Sequence, residues 1–526
     1  MEIGGGPHGV KEQCGQKNRW LTRNPLAGMQ SDRTPHARKS HPPAARDRAD
    51  VLVISINIFN LLVNFFIGLV VAAFLGPDSF GRFAVALGAG SLLQSLFFGW
   101  LRLAAARFYS EAARTGRPDL RASLDAAFWV LGATTLGLGA IGALAAPLAG
   151  LDRDLVFWAL AFCACNGAFE YQLALLRARF DDRAYALLIF AKNILSLALT
   201  AGVAWTTASP GLTLAGTAAS VALSTLLLRA RLKDPHARQA SGSMAAIRET
   251  LAYALPLSFS LILFALIPLA NRALGARFSD FAEAGQLALA QDVGLKLVLT
   301  IGTAMDQLLF QLAVREHETG GRSSGQAQVA SNMTLMAALF LPALAGTWLV
   351  LPSFEVLIIP ADYRGDFANA LTILLPGLVC YGLMTFALAP AFQIAQRTWP
   401  VIAASVSACL ADALLLALLP PTWDVDMLAL AQSGALICGF LTLLALSPLA
   451  KPTWPKLRDL TGLVMATAGM TGAVWPLREM TPGLNTLIAQ ASLGGAAYLI
   501  ILVIFDVADL RRYIGVRRAL RSGSKP

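Results

Sequence analysis

Two lysines stand where lysine is costly. Lys192 lies in the apolar run 184–205 and Lys296 in the run 286–310. An ionised lysine near the middle of a bilayer costs roughly 2.5–3.5 kcal/mol on insertion scales, so each must face a partner or water. Two arrangements would satisfy Lys192: a structural pair with Glu170, at similar depth in the run 155–176, or an ammonium kept free for a substrate. Asp292 and Lys296 are spaced i, i+4 and can neutralise each other on one helix face; the other reading is a cleft cation beside a protonatable acid. Arg102, in "GWLRLAAARF", and Arg272, near the end of the run 250–274, are the remaining deep cations, each equally able to be a topology anchor. Asp306 and Asp412 are carboxyls in apolar runs, candidates to carry protons or sodium. The chemistry open to such a set is the holding of an anion by charge-assisted hydrogen bonds.

Membrane spans must position these groups. The chain has 526 residues, 56% hydrophobic and only 14% charged, where soluble proteins carry about 25% charge. Runs long enough to cross a hydrocarbon core of about 30 Å fall near 51–75, 83–105, 123–149, 155–176, 184–205, 211–228, 250–274, 286–310, 330–352, 371–393, 401–420, 427–447, 460–476 and 485–505. Lipid forbids unpaired backbone, so these runs predict fourteen helices in an all-α polytopic membrane protein.

An even number puts both termini on one side. With the N-terminus inside, 9 Lys and Arg fall in residues 1–50 and 25 in the inner connections and C-terminus, against six outside: Arg82, Arg153, Arg272, Arg277, Arg364 and Arg478. The positive-inside rule therefore predicts cytoplasmic termini. The net charge of +10 is then a matter of topology and anionic lipid, and calls for no nucleic acid.

Residues 1–50 are polar, rich in Arg, Pro and Gly, and without apolar periodicity. They read as a disordered cytoplasmic tail, or as sequence upstream of a true start at Met29; 511–526 form a second basic tail. Five of six cysteines lie in spans as small buried hydrophobes. Cys163-Ala-Cys165 lacks zinc spacing and a neighbouring His, so no metal is expected. Outer connections such as "TTASP", 206–210, leave no room for a catalytic domain, and there is no GxxxxGK[ST] phosphate loop. A non-enzyme that uses neither ATP nor a cofactor is expected.

One pattern occurs twice. "AAFLGPDSFGRFAVAL", 72–87, and "RALGARFSDFAEAGQLALAQ", 272–291, each place a polar knuckle between apolar runs. With Gly81 aligned to Gly285, "GRFAVAL" lies over "GQLALAQ". The first knuckle follows span 1 and the second follows span 7. This predicts two six-helix lobes in parallel repeat, 51–249 and 250–450, with spans 13 and 14 in 451–510. Carriers use such lobes to rock around a central site.

The segment 57–111, "NIFNLLVNFFIGLVVAAFLGPDSFGRFAVALGAGSLLQSLFFGWLRLAAARFYSE", resembles the opening of polysaccharide biosynthesis proteins of the O-antigen flippase type. That family belongs to the multidrug/oligosaccharidyl-lipid/polysaccharide exporter superfamily, with lipid II flippases and multidrug and toxin extruders. The marks are the LG-P-x-x-F-G knuckle, the small and apolar second span, and Arg-Phe-Tyr at 107–109. The resemblance implies a carrier that turns a polyprenyl-diphosphate-linked oligosaccharide from the cytoplasmic to the periplasmic leaflet of a bacterial inner membrane. It does so by alternating access without ATP, with H+ or Na+ as a possible coupling ion, for O-antigen, capsule or exopolysaccharide synthesis. It leaves room for a polysaccharide polymerase as a partner. On this reading Arg102, Lys192, Arg272 and Lys296 are cleft cations for the diphosphate, Arg102 where it enters and Arg272 where it leaves. Glu170, Asp292, Asp306 and Asp412 are ion-coupling or charge-pairing groups. The family often has an acid beside the Arg that ends span 7; here the pair is Asn271-Arg272.

Two other readings compete. A drug or metabolite antiporter of the same superfamily usually stops at twelve spans and favours acidic clefts. A membrane glycosyltransferase or polymerase needs carboxylates or His on a substantial outer loop. Asn57, Asn60 and Asn64 make an i, i+3, i+7 stripe read first as interhelical packing. Pro256, Pro268, Pro342, Pro376 and Pro390 permit bends in later spans.

Overall fold

The computed structural model describes residues 43–109, 117–232, 234, 241–395, 397, 399–450 and 452–507, with the backbone alone for 43–51, 256–257 and part of 304–322. Among these, twelve helices are long and apolar enough to cross a membrane. The first, Leu52–Phe108, would stretch about 85 Å if straight, at 1.5 Å per residue, far more than the hydrocarbon core. It breaks at Gly76, whose φ of 69° and ψ of 170° lie where only a residue without Cβ is unstrained. Pro77 opens the next helix, where its missing N–H goes unneeded. Two spans result, α1 (52–75) and α2 (77–108).

The helix Phe281–Ile358 breaks likewise at Gly321, φ 77°, into α8 (281–320) and α9 (322–358). α8 carries Glu283, Asp292, Lys296 and further charges, yet is as long as its neighbours. The others are α3 (Pro118–Ala145), α4 (Arg153–Ala178), α5 (Asp182–Thr207), α6 (Pro210–Leu227), α7 (Met244–Phe278), α10 (Asp366–Ile394), α11 (Trp399–Leu418), α12 (Val425–Ala445), α13 (Leu457–Arg478) and α14 (Leu484–Ile504). Among the described residues, fourteen long helices stand where fourteen apolar runs predict them. Several overrun the runs at their ends, because an apolar run marks contact with lipid rather than the limit of helical hydrogen bonding. Residues 43–50, assigned by composition to a disordered tail, are helical. The rest of that tail and 511–526 lie outside the described residues.

The first six helices and the next six pack alike. α4 packs on α6 and α5 on α6; correspondingly α10 packs on α12 and α11 on α12. α2 meets α4 at Gly90, where a Cβ would lie 2.6 Å from the Ala159 carbonyl oxygen, and α8 meets α10 at Gly294, where a Cβ would lie 2.4 Å from Leu378 Cδ1. Gly90 and Gly294 each follow the aligned knuckle glycine by nine residues, so the alignment read from the knuckles is also the packing register. α13 and α14 pack on each other and on α9, where Leu349, Ala466, Met470, Val474 and Tyr498 form a separate small core.

Candidate functional site

Asn64 of α1 is where the two lobes bring their lysines. Lys192 Nζ, from α5, donates to Asn64 Oδ1 at 2.8 Å and to Asn193 Oδ1 at 3.2 Å. Lys296 Nζ, from α8, donates to the Asn64 carbonyl oxygen at 3.0 Å. Gly68 gives Lys296 room: a Cβ there would stand 3.1 Å from the ammonium. The rest of the asparagine stripe packs, since Asn57 Oδ1 accepts from Tyr185 of α5 at 2.9 Å and Asn60 Oδ1 accepts from Asn64 Nδ2 at 2.8 Å. Asn193 is fully buried, and its Nδ2 has no hydrogen-bond partner. Just beyond it the helix widens into a π-helical turn at Leu197–Ala201, a feature frequent at functional sites.

Neither lysine takes the carboxylate that spacing suggests. Glu170 pairs with Arg102 at 3.6 Å rather than with Lys192. Asp292 pairs with Arg272 at 2.8 Å rather than with Lys296. The i, i+4 rule places Asp292 and Lys296 on one helix face, but α7 brings a bidentate-capable guanidinium to that face, and Lys296 reaches across to α1 instead. The six groups hold four cations and two carboxylates, a surplus of two positive charges at the meeting of the lobes.

Arg272 is not an open cation at the end of its span. Its side chain is 12% exposed, and it also donates to Gln291 Oε1 and to the Ala288 carbonyl oxygen. Gln291 Nε2 in turn donates to Gln432 of α12, so Arg272 ties α7, α8 and α12. Beside it, Asn271 Nδ2 donates to both oxygens of Asp412 on α11, at 3.0 and 3.1 Å, while Asn271 Oδ1 has no partner. Each lobe thus has a polar bridge from its first helix to its fifth: Asn64 to Lys192 and Asn193 in one, Asn271 to Asp412 in the other. The acid absent beside Arg272 in sequence stands across the helix pair. The side chain of Asp306 lies outside the described residues.

Arg102 and Glu170 line a cavity of about 140 Å³ with Gln94, Ser95, Gly99, Leu103, Ser258 and Leu261. Asn166 Nδ2 donates to Gln94 Oε1 at 3.3 Å behind it. The amides Asn193, Gln291, Gln432 and Gln94 carry no signal of their own in the sequence reading, although a buried amide in an apolar run needs a partner as surely as a charge does.

No family model and no curated protein matches this sequence. Solved structures do match the fold. A lipid II flippase, MurJ, in an inward closed conformation superposes with a TM-score of 0.71 at 15% identity, over 87% of this chain and 99% of that one. An inward-facing multidrug resistance MATE family transporter of the MOP superfamily superposes at 0.58 and 15% identity, over 76% and 97%. A Vibrio cholerae MATE transporter does so at 0.51 and 13% identity, over 76% and 96%. The chain is a multi-pass membrane protein with this fold.

Proposed function

We propose that this chain is a carrier that turns a polyprenyl-diphosphate-linked oligosaccharide across a bacterial inner membrane, from the cytoplasmic to the periplasmic leaflet, by alternating access. The observation that carries this reading is the convergence of Lys192 and Lys296, one from each lobe, on Asn64, with both neighbouring carboxylates already taken by arginines. Two ammonium groups brought to one asparagine, with the nearest carboxylates ion-paired to arginines instead, repel. An anion carrying about two negative charges, such as a diphosphate, relieves that repulsion and favours lobe closure around it. A cationic drug gains nothing from such a site, which sets the reading apart from drug antiport.

The energy needs no nucleotide. Moving negative charge outward across an inside-negative membrane is downhill by roughly 2.3 kcal/mol per charge per 100 mV. Asp412, with the unpartnered Asn271 oxygen beside it, is the place for a coupling H+ or Na+. The cytoplasmic placement of both termini and the link to surface polysaccharide rest on charge bias and resemblance, and the protein partner would be a polymerase for the exported unit.

The test is a liposome assay in which purified carrier exposes a labelled polyprenyl-diphosphate oligosaccharide to an external lectin. Lys192→Ala and Lys296→Ala should each slow exposure at least tenfold while the protein remains monodisperse. If both variants and their combination match wild type, the cationic-cleft reading is wrong. Export of toxic cations by the same vesicles would favour the antiporter instead.

A further inference from the structure

We propose, resting on the carrier reading above, that the chamber between α2, α4 and α7 receives the sugar ring attached directly to the diphosphate. A cavity of about 140 Å³ is room for several waters, where one needs some 10–15 Å³. Its walls are mixed in a way that suits a neutral polyol. Gln94 and Ser95 both donate and accept; Arg102 only donates and Glu170 only accepts. Adjacent hydroxyls on a sugar ring donate and accept side by side, and planar amide, guanidinium and carboxylate groups grip them in pairs. Leu103 and Leu261 offer the apolar surface that the C–H face of a ring needs.

The same walls disfavour the other chemistries of this cleft. The Arg102–Glu170 pair, at 3.6 Å with both side chains partly exposed, has no net charge to draw an anion, and the carboxylate repels one. An apolar tail would strand Gln94, Ser95 and the ion pair without water. The chamber and the lysine pair lie on helices that pack together, since Glu170 stands on α4 and Lys192 on α5. A ring in the chamber would therefore sit one helix away from a diphosphate held on Lys192 and Lys296. Its walls come from both lobes, Gln94, Arg102 and Glu170 from the first and Ser258 and Leu261 from α7, so sugar binding and lobe closure involve the same surfaces.

Gly99 gives a steric test that leaves the charges alone. A Cβ there meets nothing closer than Ser258 Oγ at 3.8 Å, so a larger side chain grows into the chamber. The full chain in detergent is titrated with a short polyprenyl diphosphate, bare or carrying one hexose, and thermal stabilisation is read. Wild type should bind the glycosylated lipid about tenfold more tightly than the bare one, the worth of one or two net hydrogen bonds. Gly99→Leu should abolish that preference and leave bare-lipid affinity unchanged. Ser258→Val fills the space from the opposite wall and serves if Gly99→Leu does not fold. Equal binding of both lipids by wild type, or an intact preference in the filled variants, overturns the chamber proposal and leaves the carrier reading standing. Failure of wild type to bind either lipid overturns the carrier reading and the chamber proposal with it.

Discussion

Gly81 and Gly285 face each other, a Cβ on either standing 3.0 Å from the other's backbone nitrogen. A Cβ on Gly81 would lie 1.8 Å from the Phe281 carbonyl oxygen, and one on Gly285 would lie 2.1 Å from that of Pro77. Residues that correspond in the two halves of a repeat touch only where the axis relating the halves passes between them. The axis therefore runs between the first turns of α2 and α8, at the knuckle end of the bundle. Tyr363, in the α9–α10 connection, adds to the closure: its hydroxyl donates to the Ala72 carbonyl oxygen at 3.2 Å, and its ring meets Phe80 edge-on. Arg82 lies over the Phe281 ring at 4.2 Å.

Closure at this end needs backbone against backbone, and a side chain prevents it. Gly81→Val should cost the closed state about 1–3 kcal/mol by overpacking, a shift of 5- to 150-fold toward the form open at the knuckles. The check is labelling of Ala288→Cys, a position fully buried in this structure, by an impermeant maleimide in a background without native cysteines. Labelling should be slow with Gly81 and fast with valine there. Equal rates would mean that the contact is not a gate.

Arg272 is expected to act by holding Asp292 away from Lys296. Removing it leaves the carboxylate without its charged hydrogen bond, a loss of about 1.5–3 kcal/mol, and frees it to take Lys296 one helical turn away. Arg272→Ala should therefore stop lipid turnover even though both lysines remain. Arg272→Ala combined with Asp292→Asn should restore part of it, because the lysine is released. Turnover in the double variant no better than in the single would show that Arg272 itself meets the cargo.

Asp412 can be separated from cargo binding. In Asp412→Asn the new amide can still hydrogen-bond Asn271, so the α7–α11 bridge survives while its charge is lost. Turnover in liposomes should lose its response to an imposed proton or sodium gradient and keep its response to an electrical potential. A variant that still follows the ion gradients would exclude this carboxyl from coupling.

How far the sequence could be read differs by feature, for physical reasons. Span number, the interruptions between spans 1 and 2 and between spans 8 and 9, and the repeat were accessible because lipid imposes one pattern of apolar length; that the chain turns at Gly76 and Gly321 became visible only in the backbone. Gly90 and Gly294 extended the repeat only once their contacts with α4 and α10 were visible. Charge pairing was left open twice. Lys192 and Glu170 share depth, and Asp292 and Lys296 share a helix face, yet depth and face cannot say which neighbouring helix delivers an arginine. Asn64 was legible only as part of a packing stripe. Its role as meeting point depends on Lys296, 232 residues away, and no local spacing encodes that.

The opposite end of the bundle holds the linker between lobes, and its two fastenings should differ in worth. Ser123 is fully buried; its Oγ accepts from the Ser243 N–H at 2.7 Å and donates to the Asp119 carbonyl oxygen at 2.6 Å. Arg117 holds Glu249 through two hydrogen bonds of 3.0 and 3.3 Å, but both side chains are about half exposed. Beneath these fastenings, Ala246 and Ala254 of α7 share a core with Leu120, Leu124 and Tyr171 of the first lobe, whereas Ile267 of the same helix belongs to the larger core with Leu428 and Leu436. α7 thus starts against one lobe and ends in the other, and its start must be held. An exposed ion pair contributes about 0–1 kcal/mol, while an N–H left without its acceptor costs about 1–3 kcal/mol. Ser123→Ala should therefore lower the melting temperature more than Arg117→Ala, read by size-exclusion of heated protein. If Arg117→Ala proves the more damaging, the linker is fastened by charge rather than by the buried hydroxyl.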